Sequence, residues 1–577
     1  MQSMVRVALL ALAGSLAFAG PKIASDMPAS TPDGMVEVIV QYHPVVGRNV
    51  AGELASVGQV HRSFRSIPAV HMTVRLSALE SLAANPLVAY ISPNRKTSGF
   101  LDITTQSVYA NQVWQSGWNG AGVGVAVIDS GVALKPDLAS EDGRHSRVVF
   151  SESFVPGGDA GDAYGHGTHV AGIVAANGSQ STGPNFTHTF KGVAPNANII
   201  NLRVLDANGS GQESNVIAAI DEAIALKGTY NIRVINLSMG HPVYESFKID
   251  PLCQSVEAAW KAGITVVVAA GNLGRDNTLG TDGYATITSP GNDPYVITVG
   301  AMNANGTPWR SDDKITSYSS KGPTLVDHVV KPDIVAPGNN VVSLLASPNC
   351  TLATEYPDTL VSTSSYEKSG QGLASGLSSS YFKLSGTSMA TPVVSGAAAL
   401  MLQENPSLTP DAVKARLMKT ASKVFARYTT ATDLHHVASY TTQEDIFTVG
   451  TGYIDIESAV MNTDSVNFQA LSPVAEYNPK TQTVTLVSAD AVIWGSVILA
   501  ADAVIWGSAD LEADAVIWGS AVIWGSSVAP GVTGDAVIWG SSVPWGDSTM
   551  QGFAVIWGSS VPPDGGLQAA AANDGDL

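Results

Sequence analysis

The segment Gly124-Val-Ala-Val-Ile-Asp129-Ser-Gly131 decides how the chain is read. Five apolar or small residues in a row, ending in a carboxylate and then a glycine, describe a strand buried on both faces that stops at a sharp turn. Similar runs recur at Ile199–Val204, Val234–Leu237, Ile264–Ala269 and Val296–Val299. Helical patterns lie between them at Thr168–Ala176, Glu213–Ala225 and Ser255–Ala262. Strand and helix in alternation predict an α/β fold, a three-layer parallel sheet with helices on both faces, over residues 115–461. Ligands of such sheets gather beyond the carboxyl ends of the strands, where Asp129 is expected. Taken alone, Asp129 is also readable as a cap for the element that follows.

Outward from this core the composition changes. Residues 33–98 read as a small α+β unit, with strands at Met35–Tyr42, Ala69–Leu76 and Val88–Ile91 and helices near Val50–Val57 and from Ser77. Ser77 and Glu80 have capping-box spacing. This unit holds six basic residues (Arg48, Arg62, Arg65, Arg75, Arg95, Lys96) and four acidic ones (Asp33, Glu37, Glu53, Glu80), whereas the whole chain carries −19. That contrast suits a segment that docks on the remainder, and the overall acidity argues against nucleic acid as a partner. The stretch Ser347–Ser380, rich in Ser, Thr and Gly, reads as a surface insertion. Residues 462–489 read as a linker.

The ends carry signals of their own. Arg6, the apolar run Val7–Ala17 and Ala17-Phe18-Ala19 make residues 1–19 a secretory signal peptide, so the protein is expected to be extracellular, with no membrane span. Residues 490–577 repeat Ala-Val-Ile-Trp-Gly-Ser from 491, 503, 515, 521, 536 and 554, with ten acids and no Lys or Arg. This β-prone tail is expected to pack on itself or to hold the protein on a surface or polymer. Cys253 and Cys350 are the only cysteines, which excludes a disulfide-stapled scaffold and leaves their pairing open.

Two further segments carry reactive side chains. Gly165-His166-Gly-Thr-His169-Val-Ala-Gly172 places a histidine between glycines at the start of a small-residue helix. An imidazole suits proton transfer near neutral pH, and His166 with His169 is alternatively a His-x-x-His metal pair. Leu384-Ser-Gly-Thr-Ser388-Met-Ala-Thr-Pro392 leads into a helix apolar almost all round. Ser388 lies at its N-terminus, where free N–H groups favour negative charge, or is simply its N-cap. Ser385 and Ser395 lack the Gly-Thr approach. The strand ending in Ala270-Gly271-Asn272 offers an amide that can donate to an oxyanion. A Gly-x-Ser-x-Gly elbow, the mark of an α/β-hydrolase esterase, is absent.

In the order Asp129, His166, Ser388, these motifs resemble the subtilisin-like (subtilase, S8) serine peptidases over residues 115–461. The resemblance implies an endopeptidase with Ser388 as nucleophile, His166 as general base, Asp129 orienting the imidazole and Asn272 in the oxyanion hole. It further implies that 33–98 is an inhibitory propeptide removed by self-cleavage, so the chain's partners are polypeptide substrates and its own propeptide. Gly209-Ser210-Gly211 and Ser238-Met239-Gly240 would then flank an extended substrate, and Thr288 would sit at the floor of the primary specificity pocket. The chemistry calls for no cofactor. Structural calcium is a family habit for which Asp206, Asp276 and Asp282 are the candidates, though no EF-hand spacing is present.

Overall fold

The computed structural model describes residues 34–44, 49–63, 68–93, 101–278, 280–368, 376–433, 438–478 and 483–487, with isolated short pieces elsewhere. The predicted signal peptide and most of the tryptophan repeats lie outside these residues. The described chain falls into two compact units, divided at Thr97 and Ser98.

The first unit is a four-stranded antiparallel sheet with two short helices. Its strands are β1 (Met35–Tyr42), β2 (Gln59–Ser63), β3 (Ala69–Arg75) and β4 (Val88–Pro93), in the order β2-β3-β1-β4. Alternation places Val36, Val38 and Val40 on one face with Val70, Met72 and Val74, against Leu54, Leu79 and Leu82 of helices α1 (Val50–Leu54) and α2 (Leu79–Ala84). Strand β2 was not expected, because its side chains are mostly exposed and carry no apolar alternation. The capping role of Ser77 is also corrected. Leu76–Ala78 form a 3₁₀ turn ahead of α2, whose N-cap is Ala78 without a side-chain bond.

In the second unit the parallel strands are β5 (Gly124–Asp129), β6 (Val148–Ser153), β7 (Asn198–Arg203), β8 (Ile232–Leu237), β9 (Thr265–Ala269), β10 (Ile297–Asn303) and β11 (Ile334–Pro337). They lie in the order β6-β7-β5-β8-β9-β10-β11, and the short strand Lys314–Ile315 adds antiparallel to β10. From β5 the chain passes to the edge strand β6, returns through β7 beside β5 and then crosses to β8 on the other side. Asp129, the last residue of β5, therefore stands at the topological switch point, where the crevice of such a sheet opens.

Every residue of β5, β9 and β10 is buried, which requires cover on both faces. Helices α3 (His166–Ala175) and α6 (Thr387–Glu404) pack on each other, and α6 runs across β8, β9 and β10. Helices α4 (Glu213–Ala225) and α5 (Pro251–Lys261) form a second packed pair. Thr387 to Leu402 of α6 are all buried, as the continuous small and apolar sequence predicts.

Where boundaries differ, local capping explains the difference. Helix α5 begins at Pro251 rather than Ser255, because the Asp250 carboxylate accepts from the N–H groups of Leu252 and Cys253 at 2.8 and 3.1 Å with proline at the first helical position. Edge strands β6 and β11 were missed, since one is half exposed and the other ends in proline.

The stretch Ser347–Ser380 is not simply a surface insertion. Leu360–Ser362 and Leu377–Leu384 pair in a three-stranded antiparallel sheet with Val341–Leu344, and Tyr366 is buried against Phe190 and Tyr381. Nor do all of residues 462–489 form a loose linker. The Asp464 carbonyl accepts from the Arg416 guanidinium, Val330 donates to Pro473, and Ala470, Ser472 and Ala475 are buried. Ser472 joins a buried cluster in which Asp333 lies 2.7 Å from the Lys331 ammonium and 3.4 Å from that of Lys414. At the other end, helices Leu101–Ser107 and Ala110–Gln115 begin before residue 115, and Val108 between them joins Ala110 and Val113 of the second in the main core. Cys253 and Cys350 are separate buried thiols.

Candidate active site

The site is assembled at the carboxyl end of β5. Asp129 is fully buried, and its Oδ1 accepts from the Ser130 N–H at 2.7 Å and from His166 Nδ1 at 2.8 Å. A carboxylate only accepts, so the proton of this second bond sits on Nδ1 and the lone pair on Nε2. Nε2 is buried and has no hydrogen-bond partner among the described residues. The close approach of α3 to the strand end depends on glycine. A Cβ at Gly167 would lie 2.2 Å from the Gly131 carbonyl, and Gly131 itself has φ +111°.

Asp162, which sequence reasoning overlooked, fixes the start of α3. Its carboxylate accepts from Gly165 N–H (2.7 Å), Thr168 N–H (2.8 Å), Thr168 Oγ1 (2.6 Å) and Ser130 Oγ (2.8 Å). Ser130 Oγ in turn accepts from the Gly167 N–H at 2.9 Å. Helix α3 therefore starts at His166, two residues before the predicted start, with orphan N–H groups satisfied by a buried acid. An acid four residues ahead of a helical histidine was the available signal. Burial pushes this carboxyl above its usual range, against the pull of those hydrogen bonds.

His169 belongs to the packing and not to a metal pair with His166. Its Nε2 lies 3.0 Å from the Val341 carbonyl and its ring meets Phe382 edge-on at 5.0 Å. Burial, assisted by the neighbouring His166, drives its pKa down to about 3. The folded state thus refuses a proton that the unfolded chain accepts below about pH 6.5. Stability from neutral His169 is full above that pH and is lost on acidification down to about pH 3. Between pH 7.5 and 5.0 the loss is expected to be about 2 kcal/mol. Urea unfolding at the two pH values checks this, and His169→Gln should flatten the dependence.

Ser388 is the second residue of α6. Its hydroxyl donates to the Ser238 carbonyl at 3.0 Å, and Ser238 Oγ donates to the Ser388 carbonyl at 2.9 Å. Pro392 explains the second bond: without an N–H it cannot serve the carbonyl four residues back, and Ser238 supplies the donor instead. Asn236 and Ser395, also unforeseen, extend the chain behind it. Asn236 Nδ2 donates to Ser238 Oγ at 2.9 Å, and Ser395 Oγ donates to Asn236 Oδ1 at 2.8 Å.

Asn272 follows β9. Its Oδ1 accepts from the Thr387 N–H at 2.9 Å and Thr387 Oγ1 at 3.0 Å, which fixes the amide and turns Nδ2 away as the donor end. Thr288, 7% exposed, packs against the same corner. A Cβ at Gly240 would come within 2.6 Å of its Oγ1, and one at Gly271 within 2.9 Å of its Cγ2. The two expected edges form short strands, Ser210–Gly211 and Met239–Gly240. Gly209 turns at φ +75° over the Tyr164 ring. Within the Ser238 edge, Ser238 itself faces the core and only Met239 and Gly240 form a strand.

The acids proposed for calcium serve turns. Asp206 accepts from the Asn208 and Ser210 N–H groups and so shapes the first edge, Asp276 accepts from the Thr278 N–H, and Asp282 donates its own N–H to Asn277. Among the described residues, the group placed to share an ion is Glu37, His61 and His71, on β1, β2 and β3 of the first unit.

The profile of the subtilase family, peptidase S8, matches residues 120–450. Serine protease AprX of Bacillus subtilis is 38% identical over 395 residues, covering 65% of this chain and 80% of that protein. Subtilisin E of the same species is 33% identical over 371 residues, covering 63% and 78%, and subtilisin DY of Bacillus licheniformis is 34% identical over 355 residues, covering 61% and 96%. The chain belongs to the subtilase family and is a serine endopeptidase.

Proposed function

We propose that the enzyme is exported and hydrolyses polypeptides through Ser388, His166 and Asp129, with Asn272 as an oxyanion donor, after removing its own first unit. The observation that carries this reading is the bond of 2.8 Å between buried Asp129 and His166 Nδ1, which leaves Nε2 as the basic nitrogen. Ser388 Oγ rotates off the Ser238 carbonyl, gives its proton to Nε2 and attacks the scissile carbonyl. The Asn272 amide and the Ser388 N–H at the start of α6 hold the oxyanion. His166 then protonates the leaving amine, and water repeats the sequence on the acyl-enzyme. Asp129 keeps the imidazole tautomer throughout and stays ionised. No step draws on a cofactor.

Ser210–Gly211 and Met239–Gly240 are proposed as the edges that hold the substrate as an added strand, with Thr288 at the pocket floor. Residues 33–98 are proposed as the inhibitory propeptide. Export is supported by the run Val7–Ala17, and no helix among the described residues is long and apolar enough to cross a membrane.

The test compares the full chain with His166→Ala. The unaltered chain is expected to lose its first unit and digest casein, while His166→Ala stays whole apart from signal removal; equal processing and digestion by both would refute the reading. Asn272→Ala is expected to lower kcat by about 100 to 1,000-fold with little change in KM, measured on a chromogenic peptide.

A further inference from the structure

The two substrate edges are not empty. The segment Leu567–Ala569, beyond the last tryptophan repeat, lies between them as the central strand of a three-stranded sheet. It runs antiparallel to both: Leu567 pairs with Gly211 and Gln568 with Ser210 on one side, and Gln568 pairs with Gly240 and Ala569 with Met239 on the other. This is the main-chain recognition by which a strand is added between exposed edges, and it asks little of the side chains.

Asp576 is fastened a few residues further along, and it is 1% exposed. Its carboxylate accepts from Arg275 Nη2 (2.8 Å), the Ser317 N–H (2.6 Å) and Ser317 Oγ (2.6 Å). Its N–H donates to Asn339 Oδ1 at 3.0 Å and its carbonyl accepts from Asn339 Nδ2 at 2.9 Å. Arg275 is itself held by Asp433 at 3.0 Å. An acid has thus been given a guanidinium, a hydroxyl and an amide side chain that reads its backbone in both directions.

Both attachments are next in sequence to residues that bond the Ser388 segment. Met239 directly follows Ser238, whose carbonyl accepts from Ser388 Oγ. Asn339 directly follows Gly338, whose carbonyl accepts from the Gly386 N–H, two residues before Ser388. Six residues, 570–575, join the attachments, and an extended chain of that length reaches roughly 20 Å.

We propose that Leu567–Ala569 and Asp576 are two anchors of a tethered occupant of the substrate cleft, the first held by strand addition and the second by a carboxylate-recognition site of Arg275, Ser317 and Asn339. The inference rests on the assignment of the two edges and Ser388 to substrate cleavage. A peptide substrate needs the same edges, so tail and substrate exclude each other. Tethering raises the local concentration of the tail to the millimolar range, so even a weak fit competes with free peptide. The site also defines a preference: free peptides carrying an acidic residue placed like Asp576 gain a second attachment, through charge-assisted bonds.

The test uses the full chain, its self-processed product checked by intact mass, and a chromogenic peptide substrate. The double variant Gln568→Pro with Asp576→Ala removes a strand donor and the buried acid together. It is expected to lower KM about tenfold with kcat unchanged, relative to unaltered enzyme that retains 567–577. A synthetic peptide of residues 564–577, added to the double variant, is expected to inhibit competitively. The same peptide with Asp576→Ala should inhibit about tenfold less well. Equal KM in chains that both keep the tail, or no competition by the peptide, overturns the proposal. Activity that survives Ser388→Ala would instead overturn the catalytic assignment, with the peptide competition still reporting on the tail.

Discussion

Replacing Ser388 by alanine is expected to lower kcat on a peptide substrate by on the order of 10⁶-fold. In the proposed mechanism the hydroxyl oxygen forms the bond to the scissile carbonyl, and the two nearby serines among the described residues are otherwise engaged. Ser395 is engaged with Asn236, and Ser385 Oγ accepts from the Asn340 N–H. Asn272 and the N–H at residue 388 survive the substitution, so a residual acceleration of roughly 10³ to 10⁴ over water should remain. The fold should tolerate the change, because the Ser388 hydroxyl contributes a hydrogen bond to the Ser238 carbonyl worth about 1 kcal/mol. Initial rates with a chromogenic peptide, together with a urea unfolding curve, separate loss of chemistry from loss of structure.

Asp129→Asn should cost about 10⁴-fold in kcat while leaving KM nearly unchanged. Oδ1 of Asp129 accepts two N–H groups at once, from Ser130 and from His166. Because one oxygen serves both groups, an amide oxygen in that place can keep both bonds, but the negative charge that stabilises the imidazolium is lost. An amide turned the other way presents N–H donors to Ser130 and the imidazole alike, and the proton then moves to Nε2, the nitrogen that in the proposed mechanism receives the Ser388 proton. The predicted signature is a rate that recovers as pH rises, followed as kcat against pH. A loss below tenfold would mean that Asp129 neither sets the tautomer nor stabilises the imidazolium.

The parts of the molecule legible in its sequence are those where a single strong rule acts locally. The run ending at Asp129 reads as a buried strand because both its faces are covered, and α6 reads as central because apolar and small residues surround it. The glycines around His166 and Ser388 mark where backbone must pass close to backbone. What was not legible depended on partners distant in sequence. Asp162 gains its meaning from Ser130 and Thr168 in three dimensions, and Asn236 and Ser395 matter through Ser238, whose role in turn comes from the missing N–H of Pro392. The same holds for 462–475, whose sequence looks like a connector until Asp333, Lys414 and Arg416 are seen to hold it. The seat of Asp576 is the extreme case, for its partners Arg275, Ser317 and Asn339 precede it by more than 230 residues.

The central claim is that Ser388 is the nucleophile and that His166 activates it. Treating the processed enzyme with a fluorophosphonate and mapping the adduct by peptide mass spectrometry tests this directly. The account predicts one phosphonyl group on Ser388, formed in the unaltered enzyme and suppressed in His166→Ala. An adduct on another residue, or equal labelling of Ser388 when His166 is absent, would contradict it.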